Sequence, residues 1–263
     1  MDTSQIINPV LELVQKVGIF IEDFKEKGFK TETKFFNNLV TEVDIAAEQK
    51  LVEGLGAILP EAGFIAEEGS GEKSADWNWI IDPIDGTTNF SHGIPVYSIS
   101  IALWSEAKGV VLAVVHDIPN AKSYWAHEKK EGAFKENKAI HVSNTPSLDH
   151  GLLATGFPYD NFEIQELYVA LFADLLGSCR GIRRLGSAAL DLVYVAEGKF
   201  DLFFEYGLNP WDVAGGSYIL QKAGGQLSCF SGKEYSVFGK ETIASNGLFH
   251  KEFIQKIESI KGE

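Results

Sequence analysis

The sequence predicts a layered α/β fold, with an N-terminal α+β half (about 1–150) closely coupled to a C-terminal α/β half (about 151–263) in one domain. Three observations carry this expectation. Apolar residues at helical spacing open the chain, strand-length apolar runs crowd its middle, and helical segments alternate with short strands after about residue 160.

Each element follows from its pattern. Ile6, Val10, Leu13, Val14, Val17, Phe20 and Ile21 recur at helical spacing, predicting a helix over 6–27. Val43, Ala46, Ala47, Leu51 and Leu55 share one face of a second helix over 42–58. Short apolar runs predict strands at 63–66, 79–81, 97–104, 109–116 and 123–126. The third and fourth of these flank the connection Ser105-Glu106-Ala107-Lys108 and read as an antiparallel hairpin. Residues 161–176 form an amphipathic helix, 187–197 another helix and 200–204 a strand. A helix over 209–223 starts at Asn209-Pro210 and stops at Gly224-Gly225. A strand at 242–244 and a helix over 248–257 complete the reading.

The chain has 263 residues, of which 45% are hydrophobic, enough to bury a sizeable core. Its net charge of −14 lacks the basic footprint of a nucleic-acid binder. An acidic protein that acts on an anionic substrate needs metal ions to reverse the local sign. Cys179 and Cys229 are too few for a disulfide framework and fit a reducing compartment. The N-terminus lacks a secretory pattern and no apolar run reaches the roughly 20 residues that span a bilayer. The expectation is a cytoplasmic protein with no stable membrane insertion.

The chemistry concentrates in Trp79-Ile80-Ile81-Asp82-Pro83-Ile84-Asp85-Gly86-Thr87-Thr88-Asn89-Phe90. An apolar strand ends at Asp82, Pro83 forces a sharp exit, and Asp85 returns toward the same point. Gly86 allows a ligand to approach the backbone. Carboxylate oxygens suit hard cations, and free backbone N–H groups at a helix start suit phosphate. A plain acidic turn would need neither the buried strand nor the two threonines. Glu67-Glu68 also follows an apolar run, although such pairs are commonly solvated loop charges. Asp212 has two readings, since an acid three residues into a helix that starts at Asn209 also stabilises its N-terminus. Asp44, in the first turn of the second helix, has the same two readings. All these acids sit where a strand ends or a helix begins, and in layered α/β folds such points converge on one crevice.

The stretch from Asp82 to Phe90 resembles the first signature of the inositol monophosphatases, and Trp211-Asp212-Val213-Ala214-Gly215-Gly216 resembles the second. Leu39-Val40-Thr41-Glu42-Val43-Asp44, Ala66-Glu67-Glu68 and Arg184-Leu185-Gly186-Ser187-Ala188-Ala189 fit the family's order, so the resemblance spans essentially the whole chain. It implies an α-β-α-β-α sandwich, a homodimer, and a phosphomonoesterase dependent on two or three Mg²⁺ ions per active site. Glu67, Asp82 and the carbonyl of Ile84 would hold one ion; Asp82, Asp85 and Asp212 would hold a second. Glu67 would also reach a third, more hydrated one. Thr87 and Asp44 would position and help deprotonate the attacking water, giving a catalytic group of Thr87, Asp44 and Glu67. The Gly86 and Thr87 amides would receive the phosphate. Gly186, Ser187, Ala188, Glu205 and Asp212 would lie near the substrate alcohol. In-line attack needs no covalent intermediate, so Ser187 and the six histidines are not required as nucleophiles or bases. His92, close to the motif, reads as structural.

Lys34 is the nearest match to a lysine common in the family, Asn38 stands where many relatives carry aspartate, and Asn209-Pro210 resembles the bacterial branch. The expected substrate is a small sugar or cyclitol phosphate, foremost myo-inositol monophosphate. The rivals are 3′-phosphoadenosine nucleotides, fructose 1,6-bisphosphate, NADP and histidinol phosphate. Thr88-Asn89 favours the inositol branch, because nucleotidase relatives usually carry Lys-Glu there. A regulatory protein that keeps the fold and works through partner contacts is the remaining alternative.

Overall fold

The computed structural model describes residues 2–27, 31–35, 38–74, 76–157 and 164–262. The side chains of Lys34 and Asn38 and the start of the helix expected from 161 lie outside the described residues.

In chain order the first elements are α1 (Thr3–Lys27), β1 (Thr31–Phe35), β2 (Asn38–Thr41), α2 (Glu42–Ile58), β3 (Gly63–Ala66) and β4 (Asn78–Asp85). A short α3 (Thr87–Ser91) leads into β5 (Ser98–Ser105), β6 (Gly109–Asp117), β7 (Lys122–His127), β8 (Ala133–Lys135) and β9 (Lys138–Ile140). Next come β10 (Leu152–Thr155), α4 (Gln165–Leu175), β11 (Gly181–Arg183), α5 (Ala188–Ala196) and β12 (Leu202–Tyr206). The chain closes with α6 (Pro210–Lys222), β13 (Gln226–Ser228), β14 (Glu241–Ser245) and α7 (His250–Lys261).

The strands β3 to β9 make a seven-stranded sheet in sequence order, parallel only between β3 and β4. The expected hairpin of β5 and β6 is present, with Ser98 opposite Asp117 and Ser105 opposite Gly109. A second sheet runs β11-β10-β12-β14-β13. Helices α1 and α2 pack against the first sheet through a core that includes Val14, Leu51, Trp79, Ile81 and Ile101. Its other face meets α5 and α6, which also meet the second sheet through Val115, Leu192, Ile219, Phe203 and Ala244. Helices α4 and α7 close the far side over Leu153, Phe204 and Ile243. The layers are therefore α-β-α-β-α, as the resemblance implies.

Period-2 alternation decides which side chains enter the middle helical layer. In β4, Trp79 and Ile81 belong to the outer core, whereas Ile80 packs with Ala214 of α6. Asp82 shares the face of Ile80 and so points toward α6. In β12, Leu202 and Phe204 face α4 and α7, so Phe203 and Glu205 face α5 and α6.

Two expectations change. β4 does not end at Asp82. It continues through Pro83 and Ile84 to Asp85, because an irregularity against β5 between Asp82 and Asp85 absorbs the proline. The strand expected at 200–204 lies two residues later, which puts Glu205 inside it. The short helix α3, the strand β10, the three-residue strands β8, β9, β11 and β13 and the β1/β2 hairpin escape the periodicity reading.

Candidate active site

Three helix N-termini and the ends of β3, β4, β10 and β12 meet at one cavity of about 250 Å³, at the small end of ligand-site sizes. Its wall includes Glu67, Asp82, Ile84, Asp85, Gly86 and Thr87 from the first sheet and its α3 turn. Gly186, Ser187, Ala188, Glu205 and Asp212 complete it from the middle layer and the second sheet. Of the expected site residues only Asp44 is absent from the lining. It is fully buried one contact behind, where it accepts the Thr87 hydroxyl.

Asp44 also caps its own helix. The Thr41 hydroxyl bonds Asp44 Oδ2 at 2.5 Å and the Thr41 N–H bonds the same oxygen at 2.8 Å, while Oδ1 accepts from Thr87 Oγ1 at 2.9 Å. Capping and a site role are thus divided between the two oxygens of one carboxylate. Burial raises the Asp44 pKa, with the Thr41 and Thr87 hydrogen bonds opposing. Thr87 Oγ1 also lies 3.0 Å from the Ile84 carbonyl; a hydroxyl has one hydrogen, so it can serve only one of these acceptors at a time.

Gly86 starts α3 with φ of 104°, a conformation that suits glycine. A Cβ there would lie 3.0 Å from the Val96 carbonyl and 3.1 Å from that of Gly186. No side chain caps α3. Its first turn faces the cavity instead.

Asp85 has a partner that sequence reasoning missed. Its Oδ2 accepts from Ser187 Oγ at 2.5 Å and Ala189 N at 2.8 Å, and its Oδ1 accepts from Ala188 N at 3.2 Å. It therefore caps α5, joining the first sheet to the middle layer. Burial raises its pKa to about 6, against these bonds. Asp212 accepts the Asn209 N–H at 2.6 Å in a capping box and also lines the cavity. Burial lifts Asp212 to about 8, Asp85 and Glu205 adding to it and Lys240 opposing. Asp82 rises well above the carboxylate range through burial, then through the charges of Glu67, Asp85 and Asp212. Glu205 rises to about 8 by burial, which Arg184 opposes.

The donor set suits a hard cation: carboxylates and one carbonyl, with their charges crowded out of water. Asp82 uses Oδ1 for the Ile84 N–H at 3.0 Å and Asp212 uses Oδ2 for its cap. The other oxygen of each makes no hydrogen bond among the described residues. Three of the roughly four lone-pair sites on Asp85 are taken. Among the described residues no three acids converge on a single point; they ring the cavity.

Several supports were invisible in the sequence. Glu48, fully buried on α2, accepts the Glu68 and Ser70 N–H groups at 2.8 Å each and holds the turn that presents Glu67. Asn89 Nδ2 donates to Val96 O at 2.8 Å and Leu185 O at 2.7 Å, tying the α3 turn to the loop before α5. Lys240 reaches the cavity from the turn before β14. Glu48 could have been found as an acid on the apolar face of its helix, four residues after Asp44. The ties of Asn89 and Lys240 leave no local signal. None of the histidines lines the cavity; His92 is exposed at the end of α3, and His116 and His250 are buried against serines. Cys179 and Cys229 are free thiols. Among the described residues no helix is long and apolar enough to cross a membrane.

The chain as a whole is similar to known proteins. Residues 2–261 match the inositol monophosphatase family. The Nus factor SuhB of Pseudomonas aeruginosa is 42% identical over 228 residues, covering 83% of this chain and 82% of that protein. The fructose-1,6-bisphosphatase/inositol-1-monophosphatase of Thermotoga maritima is 38% identical over 255 residues, 96% of each chain. The crystal structure of the extragenic suppressor protein suhB from Bartonella henselae superposes with a TM-score of 0.91 at 30% identity, covering 97% of this chain and 98% of that one. With the acid-lined cavity at the meeting of three helix starts, these matches lead to one statement: the chain belongs to the inositol monophosphatase family and is a phosphatase.

Proposed function

We propose that the protein is a Mg²⁺-dependent phosphomonoesterase for a small sugar or cyclitol phosphate, foremost myo-inositol monophosphate, acting as a single-domain homodimer in the cytoplasm. The observation that carries this reading is the Thr87–Asp44 hydrogen bond, set between an uncapped helix start and a ring of buried and half-buried carboxylates. Glu67, Asp82, Asp85, Asp212 and the Ile84 carbonyl would hold two or three ions. Bound there, the ions supply Lewis-acid charge that activates water and offsets the charge on the phosphoryl oxygens.

The chain's own groups do the rest. The Gly86 and Thr87 amides receive phosphoryl oxygens at the α3 start. Thr87 passes its hydroxyl hydrogen to Asp44 and turns its lone pairs to the attacking water, orienting that water and accepting its proton. Glu205 accepts hydrogen bonds from the alcohol beside Gly186, Ser187 and Ala188. Among the described residues Tyr206 is the one aromatic side chain of the wall, which weighs against nucleotide substrates.

Phosphate release from inositol 1-phosphate, fructose 1,6-bisphosphate, NADP, histidinol phosphate and a 3′-phosphonucleotide, with Mg²⁺ and with EDTA, tests the reading. Mg²⁺-dependent turnover led by inositol 1-phosphate supports it. A 3′-phosphonucleotide cleaved far faster than any inositol phosphate would overturn the substrate.

One observation favours a second reading, a regulatory protein-binding role on the same fold. The Pseudomonas relative is named a Nus factor. The −14 charge argues for a protein partner rather than direct nucleic-acid contact. A stoichiometric complex captured equally well by Asp82→Asn protein would support this role; capture lost with the substitution would tie the contact to the site.

A further inference from the structure

Among the described residues, Asp191 is the one acid of the cavity wall that the phosphatase reading leaves unused. It sits in α5, whose other buried residues are apolar: Ala188, Ala189, Leu190, Leu192, Val193, Val195 and Ala196. At 1% exposure, its Oδ1 has no hydrogen-bond partner among the described residues. Such a group is rare in a native interior and calls for an explanation.

Helix capping does not supply one. The first N–H groups of α5 already have acceptors. Asp85 takes those of Ala188 and Ala189, the Ser187 hydroxyl takes that of Leu190, and the Ser187 carbonyl takes that of Asp191 itself. Nothing is left at this terminus for the Asp191 side chain to cap.

Its surroundings point into the cavity. Glu205 and Asp191 line the same wall; Asp191 feels the charge of Glu205, and Asp85 raises both while Arg184 opposes both. The Glu205 carboxylate lies directly on the backbone of Gly156, where a Cβ would come within 2.1–2.3 Å of it. This end of the cavity is therefore built from two carboxyl groups, a guanidinium and bare backbone. Burial holds Asp191 well above the carboxylate range, so it can donate a hydrogen bond as well as accept one. Rotation about its last torsion is soft and can present either oxygen.

We propose that Asp191 is a specificity residue for the alcohol half of the substrate, a second carboxyl group beside Glu205 whose unpartnered oxygen is completed by a hydroxyl of the bound ester. The ligand class is a phosphate monoester of a polyol with at least two hydroxyls on one side, one for each carboxyl. This rests on the phosphomonoesterase reading and adds a residue to it. A phosphate ester with no neighbouring hydroxyl uses the metal and phosphate end alone and is indifferent to Asp191.

The test compares wild type, Asp191→Asn and Asp191→Leu on inositol 1-phosphate and on phenyl phosphate, with a melting curve for each. Asp191→Leu is expected to lower kcat/KM for inositol 1-phosphate on the order of 10- to 100-fold, mostly through KM, and to leave phenyl phosphate within about two-fold. Its melting temperature should rise, because an unpartnered buried carboxyl group has been removed. Asp191→Asn, nearly the same shape, should show a smaller loss on the polyol ester and keeps the test decisive if the leucine variant does not fold. An unchanged ratio between the two esters, or a lower melting temperature in both variants, would assign Asp191 to structure and overturn the proposal. Wild type inactive on both esters would overturn the phosphomonoesterase reading and this one with it.

Discussion

The Thr87 hydroxyl donates to Asp44 Oδ1 across 2.9 Å, while the other oxygen of Asp44 closes the capping box of α2. One carboxylate thus fixes a helix start and a threonine of the cavity wall. Thr87→Ala should lower kcat by about 100-fold or more with KM little changed, since a water-orienting pair is removed and the cap is kept. Thr87→Ser should keep most of the activity. Steady-state kinetics on one phosphate ester decides it; a fall in KM and kcat together would move Thr87 to substrate binding.

Asp85 and Asp212, both proposed as metal ligands, differ as structural groups. Both Asp85→Asn and Asp212→Asn should abolish turnover. An asparagine at 212 can still accept the Asn209 N–H and removes a carboxyl whose ionised form the site disfavours, so its melting temperature should hold or rise. An asparagine at 85 turns an amide NH₂ toward Ser187, Ala188 or Ala189 and should lose about 1–3 kcal/mol. Equal melting curves for the two variants would contradict the Asp85 cap of α5.

Glu48 predicts a metal effect without touching the cavity. Glu48→Gln places an amide NH₂ against one of the two N–H groups that the carboxylate now accepts. The turn carrying Glu67 then loosens, and the Mg²⁺ concentration for half-maximal activity should rise on the order of 10-fold. Calorimetric Mg²⁺ binding gives a readout independent of turnover. Unchanged Mg²⁺ affinity would confine Glu48 to structure.

Stability should depend on pH and on metal together. Asp212 and Glu205 sit at about 8 in the fold, above their ordinary values, so between those limits the folded protein holds more protons than the unfolded one. Their contribution is present at low pH and is lost as pH rises toward 8. His116 and His250, lowered to about 4 by burial, act in the opposite sense, but only below about 6.5. In the window from about 6.5 to 8 the carboxyl groups act alone. In EDTA the melting temperature should fall across that window, and added Mg²⁺ should restore it most at the upper end, where the ionised acids bind it. A melting temperature flat with pH in EDTA would be inconsistent with protonated acids at the site.

Much of this was readable from residues. The run Trp79-Ile80-Ile81 with its acids, the α2 periodicity and the Asn209-Pro210 start each carry a local signal that the fold kept. What was not readable has a common cause. The path of β4 through Pro83 depends on an irregularity against β5, which is a property of the pair and not of either strand. Asp85 meets Ser187, and Asn89 meets Leu185, across about a hundred residues of chain. Gly156 matters because Glu205 lies against it from another strand. Asp191 did leave a trace, an acid inside an apolar helix, whose meaning needed the cavity beside it.

The cap that Asp85 places on α5 also bears on how the protein comes off the ribosome. Asp85 is synthesised 102 residues before Ser187. Until α5 emerges, the first sheet carries Glu67, Asp82 and Asp85 without the three donors that later hold Asp85 in place. Asp85 is held in its final place only when α5 has folded against the first sheet. Catalytic competence in this chain is therefore a late event in biosynthesis, and recovery of turnover on refolding reports that the two sheets have docked.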